Sequence, residues 1–550
     1  MNKLQEYLGY LVLICLLAFG QPARSQICSV LSGFFLWGLL WFILSHIPRN
    51  RYLFASVSFF LVEAVRLSWM ATPHYHGWGI LLPFLFFSSV CAIQLLYFWN
   101  KLLKENELSY FKIFGLASFW TLLEWSRLYF LCGYPFNPMG LSLSGSLPTM
   151  QLASLFGIYG LTFFSLVFNL TAFKCFKEKR STDLTIFTLM SASLVLFGFY
   201  RLGEDKKRLE TKRVALVQTG WTLEDKGVVC SPYQKSLGEI EQLYYLLTQA
   251  KKAYKEKVDL IVFPEGAISE AKKKVASCAQ IKTLFSWVFS EKKKEIESLF
   301  SLEGEVSYLD VFKALSTLCE AEIILGAFVE SENQTERFCN AALWISPKKE
   351  VMWYGKRKLV PLGEYLPKGF PTFIASQYGV TSFFSEGKEK KVLGQKIKYL
   401  PTVCFEECFS HFTKKDKALD VDLLVNITND IWFYPSLLAK QHLYHARLRA
   451  LENGIPHIRA CNSGITAVID YKGRILQTLP ESKADGRPYQ GLLISDVPMR
   501  SISTVYSIWC DRSILAISTL FSFFYLVHIF KKNKIFQRSK LALVFKKKLS

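Results

Sequence analysis

Tyr-Leu-Pro-Thr-Val-Cys-Phe-Glu-Glu, residues 399–407, is an apolar run that ends in a cysteine and two carboxylates. The apolar residues predict a buried strand that ends at Cys404, and Glu406 and Glu407 follow it at once. A reactive thiol needs a suitable electrostatic environment, and a strand end beside charge provides one. A structural role is the alternative, since free cysteine is among the most buried residue types. Taken alone, this stretch leaves both interpretations open.

The composition of the chain divides it into three parts. The chain has 550 residues, which is too long for one domain. It is 51% hydrophobic and 15% aromatic, which is too apolar for an ordinary soluble enzyme. The apolar residues concentrate before the globular part and in one late run. We therefore predict transmembrane helices in residues 1–205, a globular domain in residues 206–511, and a last transmembrane helix with a basic tail in residues 512–550.

Eight stretches approach the length of about 20 apolar residues that a helix needs to cross a bilayer. The first could be mistaken for a cleaved signal peptide, but six more precede the globular domain, so we predict a retained helix. The predicted spans lie near residues 7–22, 27–46, 53–71, 78–99, 110–132, 150–173, 184–200 and 513–530.

The basic residues alternate between the loops that join these spans. Cytoplasmic loops are enriched in Lys and Arg. Both residue types collect in the second, fourth and sixth loops and in the C-terminal tail, whereas residues 72–77 and 133–149 contain neither. The alternation predicts two cytoplasmic termini and a globular domain on the far side of the membrane. It also accounts for much of the net charge of +21, which argues against a nucleic-acid partner.

The predicted spans contain a few charged residues. Glu63 with Arg66, and Glu124 with Arg127, stand three residues apart, which places each pair on one face of its helix. Charged groups at membrane depth usually face a bundle interior or a functional site. Local ion pairs and a lipid head-group site are both compatible with this spacing.

The globular part alternates strand and helix patterns, as an α/β domain does. One buried strand stops at a proline and presents Glu265 at its end. Residues 271–320 are rich in Lys and Glu and predict a solvated helical insertion. The other predicted elements are strands at 214–218, 258–263, 323–329, 341–346 and 351–354, helices at 231–257 and 437–452, and a strand pair at 458–470.

Two aromatic stretches are candidates for substrate contact. Residues 370–384 form a long apolar loop that includes Phe383 and Phe384, and a loop of this kind is often functional. Near a membrane it would serve as a lid or contact an acyl chain, and core packing is the alternative. Trp432 belongs to a second aromatic run, residues 432–434.

Thirteen cysteines raise the question of disulfides and metals. An oxidising compartment would allow some cysteines of the far-side domain to pair. Cys404 and Cys408 have a metal-like spacing, but the sequence has no second cysteine pair and no suitably spaced histidine set. We expect His442 and His445 to make structural hydrogen bonds. The sequence therefore predicts neither a metal nor a cofactor.

Three strand ends offer different chemical groups: a carboxylate at Glu265, an ammonium at Lys356 or Lys358, and a thiol at Cys404. Acyl transfer through cysteine needs a base, a cation near the developing oxyanion and a nucleophile that can hold the acyl group as a thioester. No Ser-His-Asp arrangement is comparably placed. The order Glu, Lys, Cys in an alternating strand and helix chain resembles the nitrilase superfamily.

Within that superfamily the chain resembles the bacterial apolipoprotein N-acyltransferases, and the resemblance covers essentially the whole chain. Eight predicted spans bracket the domain, and the joint occurrence of the motifs is highly specific. The motifs are residues 262–268 (Val-Phe-Pro-Glu-Gly-Ala-Ile), 356–364 (Lys-Arg-Lys-Leu-Val-Pro-Leu-Gly-Glu), 404–406 (Cys-Phe-Glu), 429–432 (Asn-Asp-Ile-Trp) and 462–468 (Asn-Ser-Gly-Ile-Thr-Ala-Val).

The resemblance implies a role for each matching residue. Glu265 corresponds to the general base, Lys356 to the lysine that stabilises the oxyanion, and Cys404 to the nucleophile. Glu364 and Glu406 correspond to the supporting carboxylates of the family.

The chain departs from the family pattern at two places. It has Phe405 where the family usually has tyrosine, so any role of that hydroxyl is absent or supplied elsewhere. A tryptophan expected after the first strand has no obvious counterpart, since the count from Gln218 reaches Gly227, and the role is not transferred to the nearby Trp221.

The resemblance also implies an architecture and a reaction. The fold would be a nitrilase-like α-β-β-α sandwich on an all-α domain of eight transmembrane helices, in a monomer of the bacterial inner membrane with its catalytic domain in the periplasm. The enzyme would move the sn-1 acyl chain of a phospholipid, by a ping-pong route through Cys404, to the α-amine of the diacylglyceryl-cysteine of an apolipoprotein. Two alternatives stay open: a membrane-tethered amidase that releases acyl groups to water, and a non-catalytic membrane binding module.

Overall fold

The computed structural model describes residues 3–47, 50–105, 107–130, 133–203, 210–227, 236–300, 304–331, 334–365, 384–414 and 420–549. The chain divides into two compact units. A helical unit comprises Met1–Leu67, Leu85–Gly203 and Trp509–Ser550, and a second unit comprises Ser68–Phe84 and Glu204–Ile508.

Helices occupy nearly all of the chain before the first strand. A π-helical turn at Ser32–Leu36 joins α2 to α3. In chain order the helices are α1 (Lys3–Ala18), α2 (Gln26–Leu31), α3 (Trp37–His46), α4 (Arg51–Arg66), α5 (Pro73–His76), α6 (Leu81–Leu103), α7 (Tyr110–Ser126), α8 (Leu147–Met150), α9 (Ala153–Glu178), α10 (Ser181–Gly203), α11 (Glu239–Lys255), α12 (Cys278–Val288), α13 (Lys293–Leu299), α14 (Tyr308–Cys319), α15 (Leu438–Asn453), α16 (Val505–Trp509) and α17 (Arg512–Leu549).

Within the described residues, five helical segments are long and apolar enough to cross a membrane. Three other predicted spans coincide with α1, α4 and α7, which have 16, 16 and 17 residues and are shorter than a usual span. A count of eight spans therefore stays a prediction. The five segments are Gln26–His46, Trp78–Leu103, Ala153–Glu178, Ser181–Gly203 and Arg512–Lys531.

Charged residues of α4 and of the C-terminal end of α7 form local ion pairs in the helical unit. Arg66 lies 3.4 Å from Glu63, and Arg127 lies 3.7 Å from Glu124, with all four side chains buried. The cavity beside them has a volume of about 10 Å³, which is room for about one water molecule. The ion-pair interpretation fits this geometry, and a lipid head group would not fit the cavity.

The second unit is built on two sheets. The six-stranded sheet has the order β13-β1-β2-β5-β6-β7, the five-stranded sheet has the order β12-β11-β10-β9-β8, and β3 pairs with β4 in a small hairpin. The strands are β1 (Thr211–Gln218), β2 (Leu260–Val262), β3 (Lys274–Ser277), β4 (Glu305–Ser307), β5 (Glu322–Ser331), β6 (Gln334–Ile345), β7 (Val351–Gly355), β8 (Tyr399–Val403), β9 (Leu423–Thr428), β10 (His457–Cys461), β11 (Ala467–Ile469), β12 (Ile475–Thr478) and β13 (Gly491–Pro498).

These sheets form the middle of a four-layer sandwich. Side chains of β1, β2 and β6, such as Leu216, Val262 and Trp344, pack against side chains of β8 and β9, such as Val403 and Val425. Helices α11, α12 and α14 cover the outer face of the six-stranded sheet, and α15 covers the outer face of the other. The predicted α-β-β-α sandwich is confirmed.

The charge-rich stretch at residues 271–320 differs from its prediction. It is largely helical, but it is not a solvated insertion, because Ile281, Phe285, Phe312 and Leu315 are buried in the core outside the six-stranded sheet. The charged residues occupy one face of each helix and the apolar residues the other. Counting charges without their helical period hid this amphipathic pattern.

Candidate active site

The three predicted site residues follow strands of both sheets. Glu265 comes three residues after β2, and Lys356 comes directly after β7, both in the six-stranded sheet. Cys404 comes directly after β8 of the five-stranded sheet. Face-to-face packing of the sheets thus brings residues far apart in sequence to one site.

Lys356 lies between two carboxylates. Its Nζ is 2.9 Å from Glu364 Oε1 and 3.4 Å from Glu265 Oε1, and all three side chains are buried. Asn340 completes the arrangement, since its Nδ2 donates to Glu265 Oε1 at 2.7 Å and to Glu364 Oε1 at 2.9 Å. The ammonium is therefore held in one position by two negative charges, and the Asn340 amide bridges the two carboxylates.

A close approach of the backbone supports Glu265. A side chain at Gly326 in β5 would place its Cβ 2.1 Å from the Pro264 carbonyl oxygen and 2.7 Å from the Glu265 Cα. Only glycine leaves room for that contact. The strand that carries the base is therefore packed directly against its neighbour.

Cys404 adopts a backbone conformation that is rare outside glycine. Its φ is +52°, which lies in the left-handed region and is costly for a residue with a Cβ. The side chains of Glu265 and Thr428 lie close enough to the thiol to shift its pKa, and Asn426 Nδ2 donates to the Cys404 carbonyl at 3.3 Å. This turn directs the thiol toward the carboxylate instead of continuing the strand.

Burial and charge shift the pKa values of the three groups. Burial raises the pKa of the Cys404 thiol well above its ordinary value, and the Glu265 charge raises it further while Lys356 opposes the shift. Burial also raises the pKa of the Glu265 carboxyl against the attraction of Lys356. Burial lowers the pKa of the Lys356 ammonium, but the attraction of Glu364 and Glu265 more than offsets this and leaves it raised. The resting site thus holds a neutral thiol, a strong carboxylate base and a permanent cation.

Glu406 joins the strand of the cysteine to the loop of the lysine. Its Oε2 accepts from the Val403 N–H at 2.8 Å, and its Oε1 accepts from the N–H groups of Arg357 at 2.7 Å and Lys358 at 3.1 Å. The Tyr354 hydroxyl donates to the same carboxylate at 2.9 Å. Because these groups flank Cys404 and Lys356, Glu406 fixes the relative position of the two.

The remaining predicted candidates make other contacts or lie outside the described residues. Lys358 does not join the carboxylates, since its ammonium lies over the Phe409 ring, 5.6 Å from the centroid. Phe384 packs against Phe328 with ring centroids 5.1 Å apart, and its N–H donates to the Glu364 carbonyl at 3.0 Å. Phe383 and most of the predicted aromatic loop lie outside the described residues.

The structure shows what surrounds the residues at the two departures from the family pattern, Phe405 and Trp221. Phe405 is buried and packs at right angles to Phe409, so it contributes no hydroxyl. Hydroxyl groups nearby come from Tyr354, which donates to Glu406, and from Thr428, which lowers the pKa of the Cys404 thiol. Trp221 is buried, and the Lys226 ammonium lies 5.3 Å from the centroid of its ring.

Sequence reasoning missed three residues that organise the site. Asn340 and Tyr354 lie on β6 and β7, and each is a polar group next to an apolar stretch of its strand, which is the one signal that could have singled them out. Asn462 accepts from the Trp221 N–H at 2.9 Å, and its Nδ2 donates to the Trp221 carbonyl and to Asn429 Oδ1, both at 2.9 Å. Its motif, residues 462–468, is part of the family resemblance, but nothing in the sequence indicates that Asn462 links two loops.

Comparison with known proteins agrees with this geometry. The chain belongs to the carbon–nitrogen hydrolase family, whose pattern matches residues 213–506. Residues 14–171 match a second pattern, the apolipoprotein N-acyltransferase N-terminal domain. The predicted kinship is therefore confirmed in both parts of the chain.

Curated relatives resemble the chain over nearly its full length. The apolipoprotein N-acyltransferase of Chlamydia pneumoniae is 28% identical over 92% of this chain and 94% of its own. That of Chlamydia trachomatis serovar D is 29% identical over 95% of this chain and 96% of its own. Among solved structures, XC1258 from Xanthomonas campestris, a carbon–nitrogen hydrolase superfamily protein, is 18% identical with a TM-score of 0.34 and covers 52% of this chain and 91% of that protein.

Proposed function

We propose that this chain acts as an apolipoprotein N-acyltransferase, which moves the sn-1 acyl chain of a membrane phospholipid to the α-amine of the diacylglyceryl-cysteine at the N-terminus of an apolipoprotein. The observation that carries the proposal is the Lys356 ammonium 3.4 Å from the Glu265 carboxylate, at strand ends beside Cys404, whose thiol pKa both charges shift. The full-length similarity to curated N-acyltransferases supports the choice of acyl acceptor.

In the first half-reaction, Cys404 Sγ attacks the carbonyl carbon of the sn-1 ester while its proton passes to Glu265. The raised pKa of Glu265 suits this task, because a stronger base takes the proton more readily as the carbon–sulfur bond forms. Lys356 stabilises the oxyanion of the tetrahedral intermediate. The intermediate collapses, Glu265 returns the proton to the departing alkoxide, and a lysophospholipid leaves while the acyl group stays on sulfur.

In the second half-reaction, the free α-amine attacks the thioester carbonyl and loses its proton to Glu265. Lys356 again stabilises the oxyanion. Collapse of this intermediate forms the amide and breaks the carbon–sulfur bond, and the proton on Glu265 returns to the Cys404 sulfur. An amide is more stable than a thioester, so the transfer proceeds without a nucleotide.

Other side chains would support these steps. Glu364 orients the Lys356 ammonium at 2.9 Å, and Glu406 holds the loop that carries it. We assign Phe384 and Trp432 to substrate contact, because both lie on segments that begin beside the site. The five apolar helical segments fit an integral membrane protein. From the distribution of Lys and Arg, we place both termini in the cytoplasm and the catalytic domain of a monomer in the periplasm.

The proposal is tested by following a labelled sn-1 acyl chain from a phospholipid to a synthetic diacylglyceryl-cysteine peptide. The label should appear as an amide on the peptide with a free amine and not on its N-acetylated form. Lys356→Ala should lower the rate about 10²-fold or more, since it removes the oxyanion partner, whereas the exposed Lys348→Ala should not. Release of the label as free fatty acid, at the same rate with and without peptide, would indicate a hydrolase instead.

A further inference from the structure

Residues 68–77, here called the strap, lie in sequence between α4 and the apolar segment that begins at Trp78. They nevertheless belong to the catalytic unit, which includes Ser68–Phe84. The strap consists of a 3₁₀ turn at Ser68–Met70 and the short helix α5. A connection between two predicted spans would be expected to do no more than join them, so its packing in the catalytic unit requires an explanation.

The first contact of the strap is with the loop after β1. The Tyr75 hydroxyl donates to Glu224 Oε2 at 3.0 Å. Two residues further along the same loop, the Lys226 ammonium donates to the carbonyl oxygen of Gly266, the neighbour of Glu265. Two hydrogen bonds and a short piece of backbone thus connect the strap to the residue next to the proposed base.

The second contact of the strap is with the 3₁₀ turn at Ile431–Phe433, which follows β9. The His76 ring stacks on Trp432, with centroids 6.0 Å apart and planes 26° apart, and lies 4.9 Å from the Phe433 ring. Trp69 packs edge-on against Phe433 at 5.2 Å. Burial lowers the pKa of the His76 ring, which favours the neutral form for this packing.

The turn held by the strap begins beside the nucleophile. β9 pairs with β8 as far as Ile427 opposite Val403, the residue before Cys404, and Asn426 Nδ2 of β9 donates to the Cys404 carbonyl at 3.3 Å. Asn462 also joins the two loops, because its Nδ2 donates both to the Trp221 carbonyl and to Asn429 Oδ1 at 2.9 Å. The strap is thus the second link between the loop next to Glu265 and the loop next to Cys404.

We propose that the strap is a positioning element of the acyl-transfer site, in which Tyr75 acting through Glu224 and His76 acting through Trp432 fix the two loops that flank Glu265 and Cys404. The inference rests on the proposed function for its reaction. Its geometry depends only on contacts within the catalytic unit. It adds to the site two positioning residues that come from the part of the sequence assigned to membrane helices.

The contact of Tyr75 with Glu224 is tested on the full-length protein by measuring thioester formation on Cys404 as a function of phospholipid concentration. Tyr75→Phe should lower the saturating rate about tenfold with KM within about twofold, because it displaces a loop beside the base without removing a substrate contact. Glu224→Ala should have the same effect, and combining it with Tyr75→Phe should add little. Glu224→Gln retains an acceptor oxygen and should keep most of the rate. Tyr129→Phe, at a tyrosine that is exposed, is the matched control.

The contact of His76 with Trp432 is tested by comparing a variant that removes the ring with one that keeps a ring. His76→Ala removes the ring that stacks on Trp432 and should lower the same rate about tenfold, whereas His76→Phe keeps a ring and should restore it to within about threefold. His46→Ala, at an exposed histidine on α3, should match the native rate. Thermal unfolding of each variant verifies that the fold is retained.

A second measurement separates this inference from the proposed function. The rate of alkylation of Cys404 by iodoacetamide, read from its peptide by mass spectrometry, requires no lipid. If the native protein forms no thioester, the proposed function fails, while a change in the alkylation rate in Tyr75→Phe and His76→Ala would still support the strap. Alkylation and thioester formation in both variants within twofold of their controls would overturn the inference.

Discussion

Lys356 Nζ donates a hydrogen bond to Glu364 Oε1 at 2.9 Å, and both side chains are buried. A buried ammonium needs a negative partner, and this one has a second carboxylate, Glu265, at 3.4 Å. The two carboxylates affect one another, since the charge of Glu364 raises the pKa of Glu265. Glu364 therefore orients the cation and also makes the proposed base stronger.

Glu364→Gln should weaken the proposed base without emptying the site. The amide keeps the size and an acceptor oxygen, but its neutrality removes an effect that raises the pKa of Glu265. Thioester formation at pH 7 should slow ~10-fold, and the acid limb of its pH profile should move to lower pH. The exposed Glu386→Gln is the control. An unchanged acid limb and rate would show that Glu364 does not act on Glu265.

Glu406→Ala should destabilise the fold more than any single change at its partners. It leaves the N–H groups of Val403, Arg357 and Lys358 without their acceptor, and each orphaned buried group costs about 1–3 kcal/mol. Tyr354→Phe removes only one donor and should cost about 1 kcal/mol. The two effects are compared by thermal unfolding in detergent. A midpoint for Glu406→Ala no lower than that of Tyr354→Phe would contradict the role of this carboxylate as a link.

Glu265→Gln should abolish acyl transfer and yet stabilise the folded protein at pH 7. The pKa of Glu265 is raised in the fold, mainly by burial, so its charged form costs stability. Relative to Gln, this cost should be absent below the ordinary carboxyl pKa and should grow as the pH rises through the folded pKa. Unfolding midpoints measured from pH 4 to pH 8 reveal the trend. A variant that is less stable than native at pH 7 would mean that the Lys356 contact outweighs the burial.

Cys404 should be a neutral thiol at rest. Burial and the Glu265 charge raise its pKa. The rate of alkylation by iodoacetamide should therefore rise with pH, with an inflection at a higher pH than for the same residue in the denatured protein. Lys356 opposes the shift, so Lys356→Gln should move the inflection further upward. Peptide mass analysis isolates Cys404 from the other cysteines. An inflection below that of the denatured protein would indicate a preformed thiolate and no need for Glu265 as a base.

The three strand ends could be predicted from local apolar patterns, whereas the sandwich was expected from the resemblance to the nitrilase superfamily. Apolar runs that stop at Glu265, Lys356 and Cys404 are visible one at a time, and the known family order joins them. What could not be predicted is the set of partners chosen by packing. Asn340 on β6 reaches Glu265 across the one intervening strand, β5, and nothing in the residues around it indicates which carboxylates it contacts.

The strap shows the same limit at the level of domains. Residues 72–77 lie between two apolar stretches, and their lack of Lys and Arg indicated only a side of the membrane. Their packing with the catalytic unit depends on rings, His76 and Trp432, that are more than 350 residues apart in the sequence. Composition also led to a wrong prediction for residues 271–320, which were expected to be solvated but whose helices each have a buried apolar face and a charged face. In each case the sequence shows the chemical character of the residues but not the distant residues that they contact in the fold.

The central claim is that Cys404 accepts an acyl group as a thioester, and intact-mass analysis tests it most directly. Native protein, Cys404→Ala and the control Cys408→Ala, which alters a buried cysteine four residues on, are incubated with a phospholipid of defined sn-1 chain. The account predicts a gain of one acyl mass in the native protein and the control but not in Cys404→Ala, and its discharge by a diacylglyceryl-cysteine peptide with a free amine. No acyl gain in the native protein, or an equal gain in Cys404→Ala, would contradict it.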